Sequence, residues 1–187
     1  MRKIVAGLMM SVDGVVEAPE TWTGPYFSPE IGQAVGSLMA NGDTMLLGRV
    51  TYQTFAASFA GNTSDPMAVQ MKATPKGVVS ATLHKADWEN STLVKGDVVK
   101  EISQLKQLDG PELQVHGSSN LIQTLLKHNL IDEMHMLIFP VSIGYGKRLF
   151  GEGTNPASFK LLNSKMSPSG VIIATYAYDG TLKIGSL

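Results

Sequence analysis

Two stretches of the chain run from a short apolar segment through glycine into a helix start: Leu46-Leu47-Gly48-Arg49-Val50-Thr51 and Val115-His116-Gly117-Ser118-Ser119-Asn120. A helix's first turn leaves its backbone N–H groups unpaired and carries the positive end of the helix dipole, so it favours an anion. Glycine lets a phosphate approach the backbone closely. Arg49 and Thr51 add a guanidinium and a hydroxyl to the first stretch, and Ser118 and Ser119 add hydroxyls to the second. On parallel strands both sites would open at the carboxyl edge of the sheet, where such folds bind ligands. Two phosphate-sized sites on one edge suggest a pyrophosphate or dinucleotide. The same residues also read as ordinary helix capping, and neither stretch is a full Rossmann fingerprint or a P-loop.

Other side chains with chemical potential are fewer. Asp13 follows the first apolar run, where it would face the same edge or simply serve the turn before Gly14. Trp22 and Tyr26 lie in an aromatic, proline-rich loop and could wall a planar ligand or lid the core. Glu30 could bond the polar edge of a heterocycle or act as a first-turn acid. Of the histidines 84, 116, 128 and 135, no pair has the spacing of a helical zinc site, and only His116 adjoins a candidate site. His135 reads as a structural strand residue. A nucleophile elbow is absent, so serine hydrolysis is unsupported. The ten methionines are scattered through apolar segments and read as core filler.

These residues need a scaffold. Ile4 to Met10, Thr44 to Leu47, Gly77 to Ser80, Thr92 to Val94 and Leu113 to His116 read as short strands. Between them lie helices: one opened by Ser28-Pro29-Glu30 and closed by Asn41-Gly42, one after Gly48, one built on Val98, Ile102 and Leu105, and one after Gly117. Ala60 to Pro75 is polar and broken, a loop with a little helix. The last third turns to strands alone, Met134 to Val141 and then a hairpin flanking Ser167-Pro168-Ser169-Gly170. The order predicts an α/β chain with a mixed sheet, parallel where helices connect strands and antiparallel near the C-terminus. With no repeat or linker, residues 1–187 read as one domain.

Composition narrows the function. Fifteen basic and sixteen acidic side chains give a net charge of −1, which argues against a general nucleic-acid or anionic-membrane surface. Cysteine is absent, excluding disulfides, thiolate nucleophiles, iron–sulfur ligation and the cysteine-bearing zinc sites of nucleobase deaminases. No leader pattern or membrane-length apolar run is present, so a cytoplasmic location is expected.

The ordered set Ser11-Val12-Asp13-Gly14, Leu47-Gly48-Arg49-Val50-Thr51-Tyr52, Lys76-Gly77-Val78-Val79-Ser80, His116-Gly117-Ser118-Ser119-Asn120-Leu121, Leu130-Ile131-Asp132-Glu133-Met134 and Pro140 to Phe150 resembles the dihydrofolate reductase-like family. That family includes the C-terminal reductase domain of the riboflavin-pathway deaminase–reductase, and the resemblance covers nearly the whole chain. The resemblance implies an eight-stranded mixed sheet flanked by helices, with NADPH across its carboxyl edge. By that analogy Gly48, Arg49 and Thr51 meet the cofactor phosphates, and Ser80 with Thr82 lies near the adenosine ribose and its 2′-phosphate. Gly117, Ser118, Ser119 and Leu121 would wrap the pyrophosphate. His116 stands where the reductases commonly carry glycine, narrowing that space or adding a donor to it. Asp13 matches an aspartate near the substrate in the riboflavin-type branch. Glu30 follows Trp22 at a longer spacing than the substrate-binding carboxylate of folate reductases.

The expected function is therefore an NADPH-dependent reductase passing hydride to a small nitrogen heterocycle of ribosylaminopyrimidine, pterin or folate type, with Asp13 and Glu30 as catalytic candidates, no metal, and a homodimer as its assembly. The alternative is a non-catalytic, nucleotide-binding dimeric protein of the same fold.

Overall fold

The apolar run at the N-terminus forms β1 (Ile4–Ser11), and its first five residues are fully buried. In this computed structural model, which describes residues 1–182 and 185, α1 (Pro29–Asn41), β2 (Gly42–Gly48), α2 (Arg49–Phe59), α3 (Pro66–Ala73), β3 (Lys76–Val79), β4 (Ser91–Val94), α4 (Val98–Gln107), β5 (Glu112–His116), α5 (Ser119–Lys127), β6 (Glu133–Phe139), β7 (Ala157–Met166) and β8 (Ile172–Thr181) follow. The strands form one sheet in the order β4-β3-β2-β5-β1-β6-β8-β7. The pairs from β4 through β6 are parallel, and β8 pairs antiparallel with both β6 and β7. The expected change from helix-linked strands to strands alone is thus the change from parallel to antiparallel pairing.

Alternation along the central strands splits the core in two. Ile4, Ala6, Leu8 and Leu46 face α4 and α5, packing with Ile102, Leu121 and Leu125. Met45, Leu47 and Val78 face the other way, onto Met39 of α1, Tyr52 of α2 and Met71 of α3. Because both faces are covered, the strands read as continuous apolar runs. A third cluster of Ile31, Leu137, Phe139 and Val171 closes the antiparallel end.

Three local expectations change. The polar stretch before Pro75 holds a true two-turn helix, α3, whose first turn is capped by Asp65 accepting the Met67 N–H at 2.8 Å. Ser28 stands at the N-cap of α1 without capping it through its side chain. Gly42 does not close α1 in a left-handed turn; it passes directly into β2 in extended conformation, and a Cβ there would collide with the Gln114 amide.

Lys76 at the head of β3 is buried. Its Nζ donates to the carbonyls of Lys72, Thr74 and Glu89 at 3.2, 2.7 and 2.9 Å and lies 4.4 Å from the Trp88 ring centroid. One ammonium thus ties the end of α3 to the loop that enters β4. Burial pulls its pKa down from the ordinary 10.5 to about 8.

Candidate active site

β2 and β5 are neighbours and parallel, so the helices that follow them begin side by side. The two tips are bonded to each other. The Gly48 N–H donates to Ser118 Oγ at 2.8 Å, the Ser118 N–H donates to Thr51 Oγ1 at 3.1 Å, and the Ser118 hydroxyl donates to the Thr51 hydroxyl at 2.9 Å. Gly117 and Ser118 are consecutive left-handed residues, with φ of 53° and 57°. That double turn folds α5 back toward α2 and strains any larger residue at 117. Neither helix has a side-chain cap, which leaves first-turn N–H groups for a ligand. The cradle is tight: a Cβ on Gly48 would lie 3.3 Å from Ser118 Oγ, and one on Gly117 would lie 3.6 Å from the Thr51 hydroxyl.

The tips border a cleft of about 840 Å³ along the carboxyl edge, the size range of small-molecule and cofactor sites. Gly48, Arg49, Thr51, Ser80, Thr82, Gly117, Ser118, Ser119 and Leu121 all line it. The exposed Arg49 guanidinium is steadied by Gln53 at 2.9 Å. Ser80 Oγ accepts the N–H groups of Thr82 and Leu83 at 3.2 and 2.9 Å, shaping the turn after β3. Glu17, Glu20 and Lys147 stand at the mouth, and the Lys147 N–H donates to Glu17 Oε2 at 3.0 Å.

Four candidates lie elsewhere. Asp13 does not line the cleft. Its carboxylate accepts the Ser11 hydroxyl at 2.6 Å and the N–H groups of Ile143 and Gly144 at 3.0 and 2.8 Å. Those bonds, the Ser11 hydroxyl first, hold it well below the usual carboxylate range. It is a permanent anion that pins the loop after β6 rather than a proton donor. Trp22 and Tyr26 pack edge-on against Phe139, with centroids 5.6 and 6.3 Å apart, and cover the third core cluster instead of walling the cleft. Glu30 sits in the first turn of α1, away from the cleft, with its Oε2 and the neighbouring Ser28 hydroxyl buried and without hydrogen-bond partners among the described residues.

His116 lines the cleft but turns away from the helix tips. Its Nε2 lies 3.3 Å from Gln114 Oε1, so it neither narrows the tip region nor adds a donor there. Burial pushes its pKa down to about 4, leaving the ring neutral. His135, read from sequence as structural, also lines the cleft. Its signal was Gly7, a glycine within an otherwise apolar run, which pairs with His116 on one side and His135 on the other.

Among the described residues no group of three His, Cys, Asp or Glu side chains is placed to hold a metal, and no helix is long and apolar enough to cross a membrane.

The strand order and the paired helix tips define a dihydrofolate reductase-like α/β fold. The chain belongs to the RibD C-terminal domain family, whose model matches residues 2–173. It is 25% identical over 186 residues to the uncharacterized protein YyaP of Bacillus subtilis, covering 96% of each chain. A putative riboflavin biosynthesis protein from Shewanella sp. PV-4 is 26% identical, with a TM-score of 0.77 over 95% of this chain and 99% of that one. Dihydrofolate reductase from Enterococcus faecalis, complexed with NADP(H) and RAB-propyl, has a TM-score of 0.63 at 13% identity, over 95% of this chain and 96% of that one, a likeness of fold.

Proposed function

We propose that the protein is an NADPH-dependent reductase that passes hydride to a small nitrogen heterocycle. The observation carrying this reading is the bonded pair of uncapped helix tips after Gly48 and Gly117, opening on one cofactor-sized cleft. A diphosphate suits this place because both helices start without a side-chain cap and glycine precedes each tip, so no Cβ stands at residues 48 and 117. Arg49 and Thr51 would hold phosphate oxygens. Ser80 and Thr82 would face the adenosine end, while Ser119 and Leu121 would offer backbone N–H groups. The bound cofactor supplies the hydride. The chain's own work is to hold donor and acceptor in line and to exclude water. The apolar inner wall, Leu8, Val35, Leu38 and Leu137, suits that task. With Asp13 and Glu30 outside the cleft, the carboxylates that line it among the described residues are those of Glu17 and Glu20.

Titration of NADPH and NADH into the wild type and Arg49→Ala tests this. Charge-assisted bonds are worth about 1.5–3 kcal/mol. Arg49 is exposed, so the lower end applies: roughly tenfold weaker binding of NADPH and NADH alike, because both carry the diphosphate. Equal NADPH affinity in the two proteins contradicts the assignment.

We further propose a homodimer built on β7. This edge strand exposes Leu161, Leu162 and Met166 beside Ile172. A ten-residue edge strand left open presents unpaired backbone groups beside these apolar side chains, and a second copy of this chain offers a matching strand.

A further inference from the structure

One strand register runs along the floor of the cleft. His116 on β5 pairs with Gly7 on β1, Gly7 with His135 on β6, and His135 with Thr175 on β8. All four line the cleft. Neighbouring strands lie about 4.8 Å apart, so His135 stands about 10 Å along the sheet from residue 116, the last residue before the turn into α5. Leu38 of α1 occupies the place of a Gly7 side chain, between the two histidines. On one side of it His116 is buried, with its Nε2 3.3 Å from Gln114 Oε1. On the other side the His135 side chain keeps 28% of its surface exposed. Its neighbours on that sheet face, Leu137 and, across the strand pair, Ile173 and Thr175, line the cleft too, so the exposed part of the ring opens into it.

His135 also has a charged partner. Its Nε2 lies 3.8 Å from Glu133 Oε2, and the other oxygen of Glu133 accepts Lys3 Nζ at 2.5 Å. Glu133 is thus placed to pair with the ring whenever the ring carries its second proton. Glu112, at the head of β5, is the other carboxylate within range. From β8 the ring meets Thr175, with Ala177 beyond it, and the α1 residues that line the cleft, Ala34, Val35, Leu38 and Met39, are uncharged.

We infer that His135 is the proton donor of the reduction, giving a ring N–H proton to the nitrogen beside the carbon that receives hydride. The inference deepens the reductase reading above and rests on it. The acceptor carbon takes the hydride of NADPH as a new C–H bond, the C=N π pair moves to nitrogen, and that nitrogen takes the imidazolium proton. NADPH is oxidised to NADP⁺, the ring gains two electrons, and the neutral imidazole regains its proton from water at its exposed edge. Other proton carriers are worse placed. Asp13 and Glu30 lie outside the cleft. Glu17 and Glu20 are exposed at the mouth, and Glu17 already accepts the Lys147 N–H. Burial keeps His116 neutral. Imidazole is the side chain that both gains and gives a proton near neutral pH.

Two measurements test this, with 7,8-dihydropterin and a 6-ribosylaminouracil as the rings. The first needs no turnover: acylation of each histidine by diethyl pyrocarbonate, mapped by mass spectrometry. His135 should react in the free protein and lose that reactivity when NADP⁺ and a ring are both bound, while the exposed His84 and His128 react as before. The second is the single-turnover rate of ring reduction by NADPH. In the wild type it should fall as the pH rises through the histidine range. His135→Gln should be slower by about 10²-fold with a flat pH profile, while binding NADPH as the wild type does. A melting curve checks that the variant folds, and the acylation map and the wild-type profile stand without it. A His135 that stays reactive with either ring present, one that NADP⁺ alone protects fully, or a folded His135→Gln with the wild-type rate and profile overturns the inference. A wild type that binds neither NADPH nor NADH overturns the reductase reading instead.

Discussion

Each polar side chain near the cleft does one of two jobs, and the hydrogen bonds sort them. Thr51 and Ser118 spend their hydroxyls on joining two helix tips, leaving the backbone N–H groups for a ligand. Asp13 spends its carboxylate on the Ile143–Gly144 backbone, with Arg148 Nη2 3.5 Å away. Its pKa in the fold is below its unfolded value of about 3.9, so its stabilising effect is present above that value and is lost as acid protonates it. Asp13→Asn should therefore melt lower than the wild type at pH 7, and the gap should narrow as the pH falls from 4 toward 2. Paired melting curves across that range check this; a gap that stays constant with pH would contradict the assigned role. Residue types at Asp13, Trp22, Tyr26 and Glu30 were visible in the sequence, but their direction was not. Whether a carboxylate faces a cleft or a neighbouring loop depends on where a segment more than a hundred residues away, here Ile143 and Gly144, comes to rest.

At the scale of elements, the central strands could be read from short apolar runs, because a strand buried on both faces shows itself by composition alone, while β7 and β8 were legible from the hairpin turn between them. The helix starts after Gly48 and Gly117 were equally legible, since glycine before a hydroxyl-rich turn marks a tight strand–helix junction. α3 was not, because its eight residues mix apolar and polar side chains without a helical stripe and its cap, Asp65, sits inside a polar stretch. Lys76 looked like an ordinary strand-opening charge. Its burial follows from Trp88 and three carbonyls, all brought to it by tertiary packing. Between pH 8 and 10.5 the folded chain holds the Lys76 proton less tightly than the unfolded chain, so this residue makes stability rise with pH across that window. The shift is worth at most about 3 kcal/mol. Lys76→Met should flatten the rise when melting temperatures are compared at pH 8 and 10.5. An identical pH dependence in both proteins would contradict the pKa assignment.

For the whole molecule, a sheet that is parallel at one end and antiparallel at the other divides its labour. The parallel half brings helix N-termini to one edge and so builds the anion cradle. The antiparallel half ends in β7, whose outer residues are exposed. A dimer through that strand would sediment near 40 kDa, twice the 20.0 kDa chain. Leu161→Glu should shift it toward the monomer without weakening NADPH binding. A wild type that sediments as a monomer would rule the dimer out. The central claim, that two joined helix tips grip one diphosphate, is tested most directly by following backbone amide resonances during NADPH titration. The account predicts the largest shifts at Arg49, Val50 and Thr51 together with Ser119, Asn120 and Leu121, saturating along a single binding curve. Shifts confined to one of the two tips, or strongest away from both, would contradict it.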